Sequence, residues 1–271
     1  MKLPILISVP HGGLSVPDFL IDRCLLSPEE ILLDSDTWAR ELYDLKDLVE
    51  AYVDMDISRI VIDLNRNTND LPPNNPDGIV KTIAVDGSPV WKNPEGLNSR
   101  EIEFLIDNYY DPYHRRLEEL SKDENIILGV DCHSMLDIGP TDSMNRPLFC
   151  ISNRGNALGE MNINLQGEKI TAPSRVLMKL KSLIEDAFSD IRVTDREFVA
   201  INSPFYGGYI TKHQGSLGHI PWIQIEVNKC IYLPNNPSIK PTDDDLVVLR
   251  DFRNRLYKAL CELSDYIRDG S

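Results

Sequence analysis

Basic residues are the first shortage in this chain. Twenty-eight Lys and Arg stand against 43 Asp and Glu, for a formal net charge of -15. Phosphate backbones are gripped by clustered Lys and Arg, so this balance excludes a nucleic-acid footprint. An anionic small molecule approaches such a protein against its overall field and needs local arginines to be held. Cysteine is also sparse. Cys24, Cys132, Cys150, Cys230 and Cys261 are widely spaced and form no CxxC, and their odd number leaves at least one thiol unpaired in any intramolecular disulfide scheme, which fits a reducing compartment. Long apolar runs are missing as well. Leu3 to Ile7 is too short for a signal-peptide core and is interrupted by Pro4, and no stretch reaches the length of a bilayer span. These shortages point to a cytoplasmic protein without membrane or nucleic-acid partners. No repeat or low-complexity linker divides the 271 residues, so a single domain over 1–271 is expected, with 42% hydrophobic and 26% charged residues to build one large core.

What is present alternates between short β-rich runs and longer helical patterns. The strand candidates are residues 5–9, 51–55, 59–64, 125–130, 147–151, 190–194 and 222–227. Ser27-Pro-Glu-Glu opens a helical stretch in which Leu42, Leu45 and Val49 recur at helical spacing, and Asn98 with Glu101 forms a capping box before a helix that Pro112 should kink. The clearest helix follows Thr242 and three aspartates, with Leu249, Phe252, Leu256, Ala259 and Leu263 three or four apart. This alternation predicts an α/β fold with a mixed, mostly parallel central sheet flanked by helices. Residues 67–99 break the regularity. Their five prolines and a hairpin of residues 79–85 against Val90, turning at Asp86-Gly87, read as a rim or lid insertion.

Polar residues collect at the strand ends. His11 follows the first strand between Pro10 and two glycines, Asp131 and His133 follow residues 125–130, Glu226 sits at the end of residues 222–227, and Asp36 precedes a helical pattern. Two histidines, one carboxylate and an open fourth position make the ligand set of a catalytic zinc site, although the spacing is neither a zinc-finger nor an HExxH pattern. Asp131, two residues before His133, lies on the same side of a strand and either orients its ring or serves as a ligand itself. Arg59 and Arg66 flank residues 59–64, and two guanidinium groups beside one strand suit the recognition of a carboxylate.

The strings SVPHGG, DTWARELY, SRIVIDLNR, DPYH, DCHS, PFYGGYI and IQIEVN, in this order over roughly residues 5–232, resemble the N-formylglutamate amidohydrolase family, which stands with the zinc carboxypeptidases and aspartoacylases. The resemblance implies a fold of the zinc carboxypeptidase type. It also implies zinc held by His11, Asp36 and His133, Glu226 as general base, Asn65 and Arg66 gripping a substrate carboxylate, and Arg59 polarising the scissile carbonyl. Tyr209, beside Gly207 and Gly208, joins the substrate-binding residues. The carboxypeptidase relatives carry a glutamate three residues after the first histidine. That position here is Leu14, so the acidic ligand comes from farther along, at Asp36 or at Asp34. Residues 140–164 match more loosely and shape the acyl side of the pocket. His114 stands in a supporting position and His219 in a structural one. The implied activity is zinc-dependent hydrolysis of the amide of an N-acyl amino acid such as N-formyl-L-glutamate, a small molecule bearing a carboxylate. The alternatives are a metallopeptidase or deacylase acting on a larger peptide or cell-wall substrate, and a non-catalytic binding module of the same fold.

Overall fold

Six strands, β1 (Leu3–Val9), β2 (Val49–Asp54), β3 (Leu128–Met135), β4 (Phe149–Ser152), β5 (Val199–Ile201) and β6 (Trp222–Asn228), form one sheet in the order β2-β1-β3-β6-β4-β5. Neighbours run parallel except β4 and β6, which are antiparallel. The computed structural model describes residues 2–140, 142–161 and 169–270. Its helices are α1 (Asp18–Ile21), α2 (Pro28–Asp34), α3 (Ala39–Leu42), α4 (Ser99–Leu105), α5 (Asp111–Leu120), α6 (Ser174–Ala187), α7 (Tyr209–Leu217) and α8 (Asp243–Asp269). The result is a single α/β domain with a mostly parallel sheet between helices, as the alternation of patterns predicts.

The period of two along each strand separates two cores. Ile5, Ile7 and Val9 of β1, Val130 and Cys132 of β3, and Ile223, Ile225 and Val227 of β6 pack with Leu42, Leu180, Phe252 and Leu256 from α3, α6 and α8. The opposite face begins apolar, with Leu6 and Trp222 packed against Tyr113 and Leu117 of α5. Toward the carboxyl ends it turns polar, and Ser8, Asp131, His133, Gln224 and Glu226 are buried there. That change of character along one face is what makes a site.

Helix ends follow the sequence closely. Capping boxes form at Ser27/Glu30, Asn98/Glu101 and Thr242/Asp245, and the predicted apolar face of α8 is buried. Pro112 enters at the start of α5 after a π-helical turn, Ile106–Tyr110, which absorbs the missing N–H without breaking the helical run.

Five expectations are corrected. Residues 59–64 form no strand: Val61 and Ile62 return their N–H groups to the Ser58 carbonyl and Asp63 donates to Ile79, so this apolar run is a buried turn. Residues 190–194 are irregular, and the strand lies later, at β5. The stretch read as one helix from Ser27 to Val49 is two short helices separated by residues 35–38. β3 extends through Met135, so Asp131 and His133 sit within the strand rather than after it. In residues 67–99 the Asp86-Gly87 turn forms, but the hairpin arms reduce to one bridge, Ile83 opposite Pro89. Ile79, Val80, Val90 and Trp91 anchor this segment in the second core.

Candidate active site

Three adjacent strands, β1, β3 and β6, end at a cavity of about 760 Å³. Cavities beyond the carboxyl ends of parallel strands are where ligands bind in such sheets. The chain leaves β1 at Val9 and buries His11 two residues on. On β3 and β6, His133 and Glu226 are direct register partners, so the sheet itself sets an imidazole beside a carboxylate. The glycines after His11 serve packing rather than room for a ligand. A side chain at Gly12 would strike Arg40, and one at Gly13 would strike the backbone of Met55 and Asp56.

Asp36 reaches the same point from the break between α2 and α3. Ser35 and Thr37 hydroxyls both cap the Leu32 carbonyl, Trp38 takes a left-handed φ of 56°, and the Asp36 N–H donates to the His11 carbonyl. Asp34, the alternative, points elsewhere: it accepts from Lys81 at 2.7 Å and from the Val85 N–H at 2.6 Å.

Both imidazoles are backed by a carboxylate. His11 Nε2 lies 2.8 Å from Asp63, and His133 Nε2 lies 3.0 Å from Asp131. Burial pushes the Asp63 carboxyl up, but His11 and the Arg59 guanidinium beside it outweigh this and hold it well below the usual range. An ionised Asp63 only accepts, so His11 Nε2 carries the proton and Nδ1 keeps a bare lone pair. That Nδ1 is buried without a hydrogen-bond partner and faces Asp36 Oδ2 at 3.6 Å. His133 Nδ1 lies 3.1 Å from the same oxygen. One ligand atom each from His11, Asp36 and His133 falls within 4.8 Å of the others. An orphaned imidazole nitrogen, a second imidazole and a carboxylate, all buried and backed by further carboxylates, are a donor set that fits a divalent cation.

Charges around this centre are strongly perturbed. Burial raises Asp36, yet the neighbouring His11 and His133 imidazoles hold it below the ordinary carboxylate range. Burial lowers His133, yet the Asp131 charge holds it well above an ordinary histidine. Glu226 is pushed up to about 7, chiefly by burial, and accepts a hydrogen bond from Gln224 at 2.8 Å.

Arg59, Asn65, Arg66 and Tyr209 all line the cavity. Arg59 donates to Asp63 at 2.8 Å, and Arg66 donates to Asp77 at 2.9 Å. Asn65 is a strut: its Oδ1 accepts from the Ile210 N–H, its carbonyl accepts from the Tyr209 N–H, and its Nδ2 lies 3.2 Å from His133 Nε2. Gly208 permits this, because a Cβ there would fall on the Asn65 side chain. Tyr209 opens α7 and stacks on His213. His114 is buried with Nε2 2.9 Å from the Leu64 carbonyl, whereas His219 is exposed rather than structural. Of residues 140–164, Pro140, Arg146 and Arg154 line the cavity, and Thr141 and residues 162–164 lie outside the described residues.

Sequence reasoning missed Asp63, Gln224, Ser8 and Tyr113. Ser8 donates to Asp131 at 2.9 Å and lies 2.9 Å from the Tyr113 hydroxyl, which fixes the carboxylate behind His133. Strand alternation alone places Gln224 beside Glu226 and Ser8 on the site face. Nothing local marks Asp63, which a fold of the buried turn brings under His11.

A model of the N-formylglutamate amidohydrolase family matches residues 3–233. The N-formylglutamate deformylase of Pseudomonas putida is 29% identical over 240 residues, which is 86% of this chain and 82% of the relative. The crystal structure of N-formylglutamate amidohydrolase from Ralstonia eutropha JMP134 superposes with a TM-score of 0.74 at 19% identity, covering 100% of this chain and 96% of that one. A gene product of Agrobacterium tumefaciens superposes at 0.65 with 16% identity, covering 96% and 90%. Both structures share the fold. Because the matched region runs through all six strands and holds every side chain assembled above, the chain belongs to the N-formylglutamate amidohydrolase family.

Proposed function

We propose that the protein hydrolyses the formyl amide of N-formyl-L-glutamate, or of a closely similar N-acyl amino acid, with zinc held by His11, Asp36 and His133. The observation that carries this reading is the pair of carboxylate-backed imidazoles turned on one Asp36 oxygen, with Glu226 in register beside His133. Family membership and the deformylase of P. putida supply the substrate class. A divalent cation bound there supplies Lewis-acid polarisation of a carbonyl and lowers the pKa of water.

The chain's own groups do the rest. Glu226 takes a proton from the attacking water at its carboxylate oxygen and passes it to the departing amine, so that water adds to the formyl carbon, the C–N bond breaks, and formate and glutamate leave. Arg59, held by Asp63, faces the oxygen on which negative charge develops. Arg66, with the free N–H capacity of Asn65 and the ring of Tyr209 nearby, holds the α-carboxylate and turns the amide toward Glu226. The physiological zinc is favoured by the nitrogen and oxygen donor set.

A cavity of about 760 Å³ falls within the size of small-molecule sites, which supports an acyl amino acid over a large peptide. Among the described residues the candidate ligand group has three members, and a three-ligand centre keeps a place for chemistry that a closed structural zinc site lacks. The test is release of formate from N-formylglutamate by zinc-loaded protein, before and after chelation. Chelation abolishes turnover and zinc restores it. Full activity without metal overturns the zinc assignment, and no turnover of any N-acyl amino acid overturns the function.

A further inference from the structure

The cavity is also lined by Arg146, whose guanidinium has no anion beside it among the described residues. Resting on the function proposed above, we infer that Arg146 binds the side-chain carboxylate of the substrate, so that the site selects N-acyl derivatives of dicarboxylic amino acids.

Arg146 sits on the connection between β3 and β4 with its backbone fixed on both sides. Its N–H donates to the Asp137 carbonyl, and its carbonyl accepts from Asn228 and Arg196. The side chain is half-buried, with the guanidinium 5.0 Å above the Phe205 ring. Among the described residues that guanidinium makes no hydrogen bond or ion pair. The other cations lining the cavity are engaged: Arg59 by Asp63, Arg66 by Asp77, Lys81 by Asp34, Lys229 by the Ser35 carbonyl, Arg154 by the Gly207 carbonyl, and Lys212 by a contact of its own. In a chain with 43 acidic residues, a cavity arginine without a carboxylate is not short of candidates. Partial burial of a guanidinium without a partner costs desolvation that an incoming anion recovers. The planar fork over an aromatic ring is pre-organised for a bidentate carboxylate.

Position completes the inference. Arg146 lines the same cavity as Glu226 and, from the connection into β4, approaches the reacting centre from the β4 side of the sheet. Arg66 approaches from the opposite side, beside Asp63 and Asp77. A substrate with one carboxylate satisfies one guanidinium; a substrate with two satisfies both and lies across the centre.

The test compares kcat/KM for N-formylglutamate and its side-chain amide N-formylglutamine. Wild type favours the diacid by on the order of a hundredfold or more, because the amide leaves the guanidinium without its charge partner. In Arg146→Met that ratio falls toward one, and Arg146→Lys recovers part of it. An unchanged ratio in Arg146→Met overturns the assignment while the deformylase reading stands; wild type that hydrolyses neither compound overturns that reading instead. A measurement on wild type guards against a variant that fails to fold: glutarate inhibits competitively at least tenfold better than butyrate, and equal inhibition overturns the two-anchor site.

Discussion

Asp63 carries three hydrogen bonds at 2.8 Å each, from His11 Nε2, the Arg59 guanidinium and the Asn65 N–H. One buried carboxylate thereby fixes a ring tautomer, a cation and the start of the strut toward α7. Asp63→Asn removes the charge that selects the His11 lone pair, so affinity for zinc falls roughly 10- to 100-fold, as read by competition with a chromophoric chelator. Glu226→Gln behaves oppositely: zinc content is kept, and kcat falls roughly 10²- to 10⁴-fold. Wild-type turnover in that variant would remove Glu226 from the chemistry. His11, His133 and Glu226 are legible in the sequence because each stands at a strand's end among turn residues or in strict alternation. Asp63 was not, because its partners lie 52 residues away for His11 and in the backbone of Ile79. Reading 59–64 as a strand treats it as one more interior position.

Among the elements, helix starts were readable because capping is local, written within four residues, whereas helix continuity across Ser35 was not. Periodicity counts Leu42, Leu45 and Val49 in one register, but Asp36 turns toward His11 and His133, and the Ser35 and Thr37 hydroxyls close the helix at Leu32. The same locality yields a stability prediction. Asn98→Ala removes the side chain that accepts from Arg100 and Glu101, and costs about 1 kcal/mol in urea unfolding without altering KM. On α5, His114 is buried, and burial pushes its pKa down from an ordinary 6.5 to about 4, against the raising effect of the Leu64 carbonyl. A depressed folded pKa means that the unfolded chain binds the proton more tightly between those values, so stability falls as pH drops from 6.5 toward 4. The loss approaches about 3 kcal/mol. His114→Gln keeps a donor for Leu64 and flattens this limb; equal slopes in the two proteins would assign it to other groups.

For the whole molecule, the sheet order is the feature no single string announces. The alternation of patterns predicts a mixed sheet, but only long-range pairing places β3 between β1 and β6, which brings His11, His133 and Glu226 together from positions 11, 133 and 226. Because the three proposed ligands converge only in the folded chain, zinc bound by them would be linked to folding. At free zinc a hundred times Kd the native state gains about 2.7 kcal/mol. Thermal unfolding of the loaded protein then lies roughly 5–10 °C above that of the chelated one. His11→Ala abolishes the difference, which separates binding at this centre from zinc adhering to surface carboxylates.

The register of β3 on β6 has a consequence for how this scaffold diversifies. His133 and Glu226 sit on adjacent strands, whose backbones lie about 4.8 Å apart, and a slip of one residue would turn Glu226 to the far side. The proposed hydrolytic pair is thus set by backbone pairing, while part of the wall, Arg146 and residues 204–209, comes from connections outside the sheet. On the proposed function, changes in those connections would alter which acyl amino acid is taken without moving His133 and Glu226 out of register.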